Sequence, residues 1–537
     1  RRPDHTPARR SAFAREDPAM RILVTGSRSK LGKALVEALG TGHEIRTMDL
    51  VGDDPPGPTF VADGRDRTVA SEAMAGCDAL IHIPPLVPPQ VQPEEIVDAG
   101  TRSTYNLIVT APAGCRVILI SNLGNFEAYL AEYPVAENWA PRPTSQVRDL
   151  TTYLAEITVR ELARVRAVRA VVLRLGEVVD DRQAGERPVD PRWLHLEDAV
   201  QAVARALVYE HPTGPFQIPY AVFHVVGAGE RTRFPQTRAA QDALGFRPQH
   251  DLTAGVPLPI PVVPPRDVRR LTGQPGGNVH RVAIFGARGA LGTRASFELA
   301  PDHVLTMTDR LSVEDYAREP LYAGRYTPTA HVPPPVTFPP PHRNPVGSID
   351  DPRHVREVVC GTDATVNASV LRDDPVLAFR CNVVGAYNIA VAAAELGIRR
   401  HVHSGPQAVS SAYAHDFDVS DDVPMRPGDH IYCITKYLAQ EIWRVFAAEH
   451  DLEVMVVGGG DLAGADVGPT WSEVCRAIRL GLHVPSFPRP YEVFNFVSDQ
   501  PNGKFSGERA ARLLGFRPRE DLQGKWLRRF GPTGVSR

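Results

Sequence analysis

One pattern constrains this chain more than any other: strand, glycine turn, helix, strand, acid. In Arg281–Arg310 the apolar run Val282-Ala283-Ile284-Phe285 has the length of a buried strand. Gly286, Gly289 and Gly292 follow at three-residue spacing, then a helical stretch, then Val304-Leu305 and Asp309. This is the order a dinucleotide-binding βαβ unit requires. Gly286 permits the tight turn, Gly289 lets backbone amides approach a pyrophosphate, and Gly292 lets helix and strand pack closely. The helix N-terminus offers free N–H donors and partial positive charge to the phosphates. Asp309 can accept from an adenosine ribose. The same pattern occurs 260 residues earlier, where Gly26, Ser29, Gly32 and Asp49 hold the corresponding places. A lone glycine motif is weak, but two copies at one spacing predict two dinucleotide folds in tandem.

A chain of 537 residues exceeds one ordinary core and fits two domains of about 250 residues each. A formal net charge of −3 argues against nucleic acid or an anionic membrane surface as the main partner. No apolar run in the sequence approaches the ~20 residues of a membrane span, so no membrane role is expected. Residues 1–19, rich in Arg, Pro and Asp, read as a disordered leader without the apolar core of a secretion signal. The cysteines Cys77, Cys115, Cys360, Cys381, Cys433 and Cys475 form no C-x-x-C pair, so no metal site or disulfide framework is expected and a reducing cytoplasm fits best.

Between the glycine units and the chain ends, apolar runs alternate with helical spacings. Examples are Cys77–Ile83, Arg116–Ser121 and Ala170–Leu175. Alternation of this kind predicts a parallel sheet covered on both faces. The Pro- and Gly-rich stretch 256–279 reads as a linker, separating domains at 20–255 and 280–537. The second half repeats the first: Tyr387-Asn388-Ile389 matches Tyr105-Asn106-Leu107, and Leu514–Pro518 matches Leu244–Pro248. Asp363 lies 285 residues after Asp78, against 260 at the glycines, so about 25 residues are inserted between. The Pro-rich stretch 319–345 is the expected insertion, a surface loop by composition.

Tyr432 and Lys436 lie four apart at the start of a helical run and share one face. A phenol with pKa near 10 needs a neighbouring cation to serve as a base, and a lysine at this spacing supplies one. With this pair in view, the chain resembles two tandem copies of the extended short-chain dehydrogenase/reductase fold, the NAD-dependent epimerase/dehydratase family. The glycine motif, the acid after the second strand, the Y-x-x-x-K pair and the late L-G-[FY]-R-P element carry the resemblance from Arg21 to Leu522. It implies an α/β fold of two tandem Rossmann-type doubly wound parallel sheets, each with a small C-terminal substrate-facing portion. It implies Tyr432 as general acid/base with Lys436 as partner. It places the pyrophosphate on Gly286, Gly289, Ala290, Leu291 and Gly292, with Arg288 in the same loop. Asp309, beside Arg310, would hold the ribose, Ile349 would flank the adenine, and Asn382 and Lys436 would stand near the rest of the cofactor. In the first half Gly26, Ser29, Gly32, Asp49 and Asp63 would hold a second NAD, the Ser29 hydroxyl donating to its phosphates. The two halves would dock as an intramolecular pseudo-dimer through the helices near 98–110 and 151–167 and their counterparts.

The departures bear on function. The family's hydroxyl before the tyrosine falls on Pro406, which offers no donor, and Ser404 two residues earlier is the candidate substitute. The family's Arg-Pro-Gly is Gly458-Gly459-Gly460 here. In the first half Arg148 and Thr152 occupy the tyrosine and lysine positions and Asn122 that of the serine. Tyr153 is a decoy, with Ile157 four residues on. Trp193, His195 and Asp198 read as packing and helix-start residues. Two functions follow. One is an NAD-dependent oxidoreductase, epimerase or dehydratase acting on a sugar nucleotide or related hydroxyl compound in the second half. The other is a non-catalytic NAD-binding sensor or scaffold.

Overall fold

The computed structural model of the chain describes residues 18–50, 59–84, 90–130, 133–214, 217–228, 240–253, 279–316, 334–372, 374–410, 412–413, 419–459, 471–497 and 505–519. Nearly all of the leader, most of the 256–279 stretch and Gly460 lie outside them. The strands, in chain order, are β1 Arg21–Thr25, β2 Glu44–Asp49, β3 Phe60–Val61, β4 Ala79–His82, β5 Arg116–Asn122, β6 Arg169–Leu175, β7 Glu177–Val179, β8 Trp193–His195, β9 Tyr220–Val225, β10 Arg281–Phe285, β11 Val304–Thr308, β12 Ala364–Asn367, β13 Arg400–Pro406, β14 Glu453–Gly459 and β15 Tyr491–Asn495. One sheet runs β3-β2-β1-β4-β5-β6-β9 and the other β11-β10-β12-β13-β14-β15, with β7 and β8 paired apart. Every strand pair among the described residues is parallel. The fold is therefore α/β with two Rossmann-like sheets.

Alternation along each strand sets which helix it meets. Ile22 and Val24 pack with the Lys30–Leu39 and Leu196–Leu207 helices on one face of the first sheet. Leu23 between them faces the Arg67–Met74, Pro93–Val109 and Val147–Val165 helices. The second sheet repeats this. Val282 and Ile284 meet the Ala290–Leu299 and Trp471–His483 helices. Ala283 and Phe285 face the Pro352–Val359, Gly385–Leu396 and Ile431–Glu449 helices. The two inward faces share one apolar cluster, from Leu23 and Val117 through Leu154, Phe379 and Trp443 to Ala283 and Val454.

Polar contacts cross between the halves at equivalent positions. Arg444 Nη2 donates to the Tyr153 hydroxyl at 2.6 Å, and Arg160 Nη2 to the Tyr437 hydroxyl at 3.1 Å. The Tyr153 hydroxyl in turn donates to Glu441 Oε2 at 2.6 Å. Tyr105 donates to the Asp429 carbonyl at 3.0 Å and packs on Phe379, ring centroids 5.6 Å apart. Tyr153 thus serves the contact between the halves. The run Pro375–Leu396 is long and apolar enough by length and composition to cross a membrane, which the sequence reading overlooked. Most of its apolar window is buried against protein here, as expected of a core helix.

The expected insertion at 319–345 needs a correction at its end. Arg343 pairs parallel with Thr306, and Val346 with Asp309, at the edge beside β11. Met307 N–H donates to the Arg343 carbonyl at 2.8 Å, and Arg343 N–H to the Leu305 carbonyl at 2.9 Å. Asp49 pairs with Val61 in the first sheet, so Arg343–Val346 stand where β3 does and belong to the repeat. Residues 317–333 lie outside the described residues.

Both glycine turns have the geometry their sequence requires. Gly26 and Gly286 have φ of 64° and 72°, the left-handed region open to glycine. A Cβ on Gly292 would lie 2.0 Å from the Gly286 carbonyl oxygen, and one on Gly32 2.3 Å from that of Gly26. Gly292→Ala is expected to push the helix off the turn and lower stability by roughly 1–3 kcal/mol, read as a shifted denaturation midpoint. A wild-type midpoint would show that turn and helix separate freely.

Candidate functional site

In the second half the loop between β10 and the Ala290–Leu299 helix ends at Gly289, so no side chain caps that helix. Its first amides retain the capacity to bind an anion. The Asp309 carboxylate accepts from Arg288 N–H at 3.0 Å and from Arg310 N–H at 2.8 Å, fixing the acid beside the loop. Burial pushes its pKa up, against the pull of those amides and of Arg288. The Arg288 side chain is buried, and its Nη1 has no hydrogen-bond partner among the described residues. Ala290 and Leu291 open the helix beside it.

The first half departs at this point. Ser29 Oγ donates to the Gly26 carbonyl at 2.7 Å and accepts from Gly32 N–H at 3.0 Å. The hydroxyl expected to reach phosphates instead caps its own helix. Asp49 keeps its geometry, accepting from Arg28 N–H at 2.7 Å. Lys30, at the helix start, pairs with Asp180 at 2.9 Å. Asp63 is held by Arg65, Nε to Oδ2 2.6 Å, and so forms an ion pair within its own half. In the repeat, Ser348 takes its place and Ile349 follows. Ile349 lies against Gly385, where a Cβ would meet its methyls at 2.8 Å.

The segment from Ala368 to Arg372, beyond β12, ties the second site together. A Cβ on Gly286 would meet the Ser369 backbone at 2.7 Å, so the glycine turn and this segment are in contact. Asn382 Nδ2 donates to the Leu371 carbonyl at 2.8 Å and to Thr435 Oγ1 at 2.9 Å. Its Oδ1 accepts from Leu371 N–H at 3.3 Å. Asn382 lies in a π-helical turn, Phe379–Val384, a form that clusters at functional sites. Tyr432 and Lys436 lie one turn apart near the start of the Ile431–Glu449 helix, where His430 Nδ1 accepts from Tyr432 N–H at 3.2 Å. Lys436 is buried and its Nζ donates to the Ser369 carbonyl at 3.4 Å. Burial, opposed by Cys381 and reinforced by Arg372, lowers its pKa to about 8. The Arg372 guanidinium lies 4.8 Å from the Tyr432 ring centre. Sequence reading missed Arg372, which lies in the irregular segment five residues past the end of β12 and carries no periodic signal.

Ser404 requires a correction. His401 and His403 pack against Trp443, and Gly405 lies against Gln440, so these alternate residues face the Ile431–Glu449 helix. Val402 faces the opposite helix through Gly481. Ser404 shares the Val402 face by the two-residue period and lies across the sheet from Tyr432. His403 is the group beneath that helix instead. It is buried, neither ring nitrogen has a hydrogen-bond partner among the described residues, and burial beside Lys436 holds its pKa well below the ordinary value.

His195 does start a helix: its Nδ1 accepts from Glu197 N–H at 3.2 Å. It stacks on His250 at 3.8 Å, and ligand atoms of His195, Glu197 and His250 lie within 4.8 Å of one another. An Nδ1 that accepts an N–H leaves the ring neutral with its proton on Nε2, which lies 3.3 Å from Asp181 Oδ1.

A Rossmann-like sheet with an uncapped helix start, an acid beside it and a Tyr-Lys pair facing the same segment defines a class of dinucleotide-dependent fold. Residues 282–487 match the model of the NAD dependent epimerase/dehydratase family. The match lies within the second half. The chain is 24% identical over 255 residues to L-arabinose 1-dehydrogenase (NAD(P)(+)) of Haloferax volcanii, covering 43% of this chain and 96% of that protein. Among solved structures it is similar to uronate dehydrogenase from Agrobacterium tumefaciens, with 20% identity, a TM-score of 0.37 and coverage of 46% of this chain and 86% of the other. It is also similar to MoeE5 in complex with UDP-glucuronic acid and NAD, with 18% identity, a TM-score of 0.35 and coverage of 45% and 95%.

Proposed function

We propose that the second half binds NAD and transfers hydride at a hydroxyl carbon of a sugar or sugar nucleotide. The observation that carries this reading is the Ala368–Arg372 segment, which meets the glycine turn at Ser369 and the Tyr432–Lys436 face at Ser369 and Arg372. A cofactor laid from Gly289 toward Lys436 would span one continuous surface. Gly286, Gly289 and Gly292 with the amides of Ala290 and Leu291 would hold the pyrophosphate. Asp309 would accept from the ribose hydroxyls and Ile349 would flank the adenine. The Arg288 Nη1, without an acceptor among the described residues, and the uncapped helix start offer donors to the phosphates. Bound NAD supplies the hydride acceptor. Tyr432 takes the proton from the substrate hydroxyl, and the cations Lys436 and Arg372 favour its phenolate. Lys436 orients the nicotinamide ribose, and Asn382 keeps Leu371 and Thr435 in place. The sugar class is supported by the names of the similar proteins.

The first half, in this reading, is a structural complement spanning 20–255 and paired with 280–537 as a pseudo-dimer. The Tyr153–Arg444 and Tyr437–Arg160 contacts support that pairing, because they join equivalent positions in both directions. A second reading, an NAD-binding sensor without chemistry, is favoured by Pro406 and by the placement of Ser404 on the far face of β13. Calorimetry with NAD and NADP, followed by NADH formation across aldoses, uronates and sugar nucleotides, separates the two. NAD is expected to bind more tightly than NADP, because Asp309 repels a 2′-phosphate. Tighter NADP binding, with Arg310 as its partner, would overturn the cofactor assignment, and NAD binding with no turnover on any class would favour the sensor.

A further inference from the structure

Arg380 stands on the π-helical turn of the second half, two residues before Asn382. Its Nη1 lies 2.7 Å from Glu95 Oε1 of the first half and its Nε 3.7 Å from Asp98 Oδ2. Asp350, next to Ile349, lies 3.7 Å from the same guanidinium. On the other side Arg65 joins Glu95 at 2.7 Å, Asp98 at 3.4 Å and Asp63 at 2.6 Å. Arg102 completes the set with Nε 2.9 Å from Asp98 Oδ1. The Asp98 side chain has no solvent exposure, and Arg380 and Glu95 are about two-thirds buried. These charges are therefore poorly screened and their geometry matters.

The internal repeat shows how this cluster is built. Asp98 and Arg380 each stand five residues after the proline that opens their helix, Pro93 and Pro375. Arg65 and Asp350 each precede the aspartate that caps the next helix, Asp66 and Asp351. The pair Arg65–Asp98 in the first half therefore recurs with its charges exchanged as Asp350–Arg380 in the second. Where the halves meet, this leaves Asp98 facing Arg380. Two identical halves would set aspartate against aspartate or arginine against arginine, so the charges select the unlike partner.

We propose that Arg380, held by Glu95 and Asp98, is a positioning residue through which the first half sets the geometry of the NAD site in the second. The inference rests on the NAD reading of the second half. The linkage is short. Arg380 anchors the π-helical turn, and the turn presents Asn382. Asn382 holds Leu371 and Thr435, on either side of the place where Tyr432, Lys436 and Arg372 converge. A π-helical turn is a strained departure from α-helix and persists where its surroundings hold it. The first half, which lacks the Tyr-Lys pair, thereby acquires a role in the site it does not contain.

The test is calorimetric titration of NAD into the full chain and its variants Glu95→Gln, Arg380→Gln, Arg380→Lys and Glu95→Gln/Arg380→Gln, with a thermal melt of each as a control for folding. Glu95→Gln and Arg380→Gln are each expected to weaken NAD binding roughly 3–10-fold, and Arg380→Lys to keep most of the affinity. The double variant is expected to bind no more weakly than Arg380→Gln alone, because both changes interrupt one linkage. NAD affinities within twofold of wild type in both single variants, with only the melts lowered, would overturn the proposal and make Arg380 a tie between the halves. Fully additive losses would overturn it as well. Should Arg380→Gln fail to fold, Glu95→Gln and Arg380→Lys decide the same question. A wild-type chain that binds no NAD is the failure of the functional reading itself, and it removes the site that Arg380 would position. The wild-type titration therefore distinguishes the two failures.

Discussion

Tyr432→Phe is expected to lower turnover by ~10²–10⁴-fold while leaving NAD affinity within about twofold of wild type. The phenol sits in the first turn of its helix beside Arg372, whereas the phosphate donors belong to the glycine turn and the Ala290–Leu299 helix start, so its loss removes the proton acceptor and leaves those donors in place. Tyr153→Phe is the matched control. Tyr153 also lies early in a long helix, and its hydroxyl bridges Glu441 and Arg444 across the junction of the halves. Its removal leaves Glu441 short of a donor and is expected to cost roughly 1–3 kcal/mol of stability with no loss of turnover per folded molecule. Equal catalytic losses in the two variants, or full activity in Tyr432→Phe, would show that the chemistry lies elsewhere.

Lys436→Met is expected to end turnover and, without cofactor, to make the chain more stable at pH 7. Burial lowers the folded-state pKa of this lysine to about 8 from an ordinary 10.5. Between those values the unfolded chain binds the proton that the folded chain has lost, so wild-type stability rises with pH across that window. Below pH 8 both states carry the charge, and the folded state bears the full desolvation penalty, up to about 3 kcal/mol at 1.36 kcal/mol per unit. Methionine keeps the apolar stem and removes the charge. Its advantage should therefore be largest below pH 8 and shrink toward pH 10.5, as read from urea denaturation at a series of pH values. A variant less stable than wild type at pH 7, with a difference that does not change with pH, would mean that the Ser369 carbonyl and neighbouring dipoles compensate the buried charge.

The repeated glycine unit made the two sheets legible, because the turn, the helix packing and the acid each demand a particular residue at a particular spacing. Gly286 and Gly292 have the turn and the close helix approach that this spacing requires, and Asp309 stands beside the loop. Tyr432 and Lys436 were legible for the same reason, since one helical turn brings them to one face. Ser404 failed because a strand exposes alternate residues to opposite sides, and a displacement that looks small in sequence becomes a change of face. Ser29 failed because a hydroxyl at a helix start has a nearer partner in its own backbone than in a phosphate. The bridged edge segment Arg343–Val346 was hidden by surrounding prolines, which signal a loop by composition although the segment pairs through its backbone. The charge exchange between Arg65–Asp98 and Asp350–Arg380 was written in the repeat, yet its meaning depends on the two halves facing each other, which periodicity within either half does not encode.

Hydrogen exchange of the full chain, measured with and without saturating NAD, locates the site directly. NAD is expected to slow exchange in the Gly286–Thr293 turn and helix start, at Leu371, and in the first turns of the helix carrying Tyr432 and Lys436. The corresponding Gly26–Lys33 segment, already capped by Ser29, should change little. Protection confined to Gly26–Lys33, or no protection at Gly286–Thr293 and Tyr432–Lys436 while NAD is bound, would contradict a cofactor site in the second half.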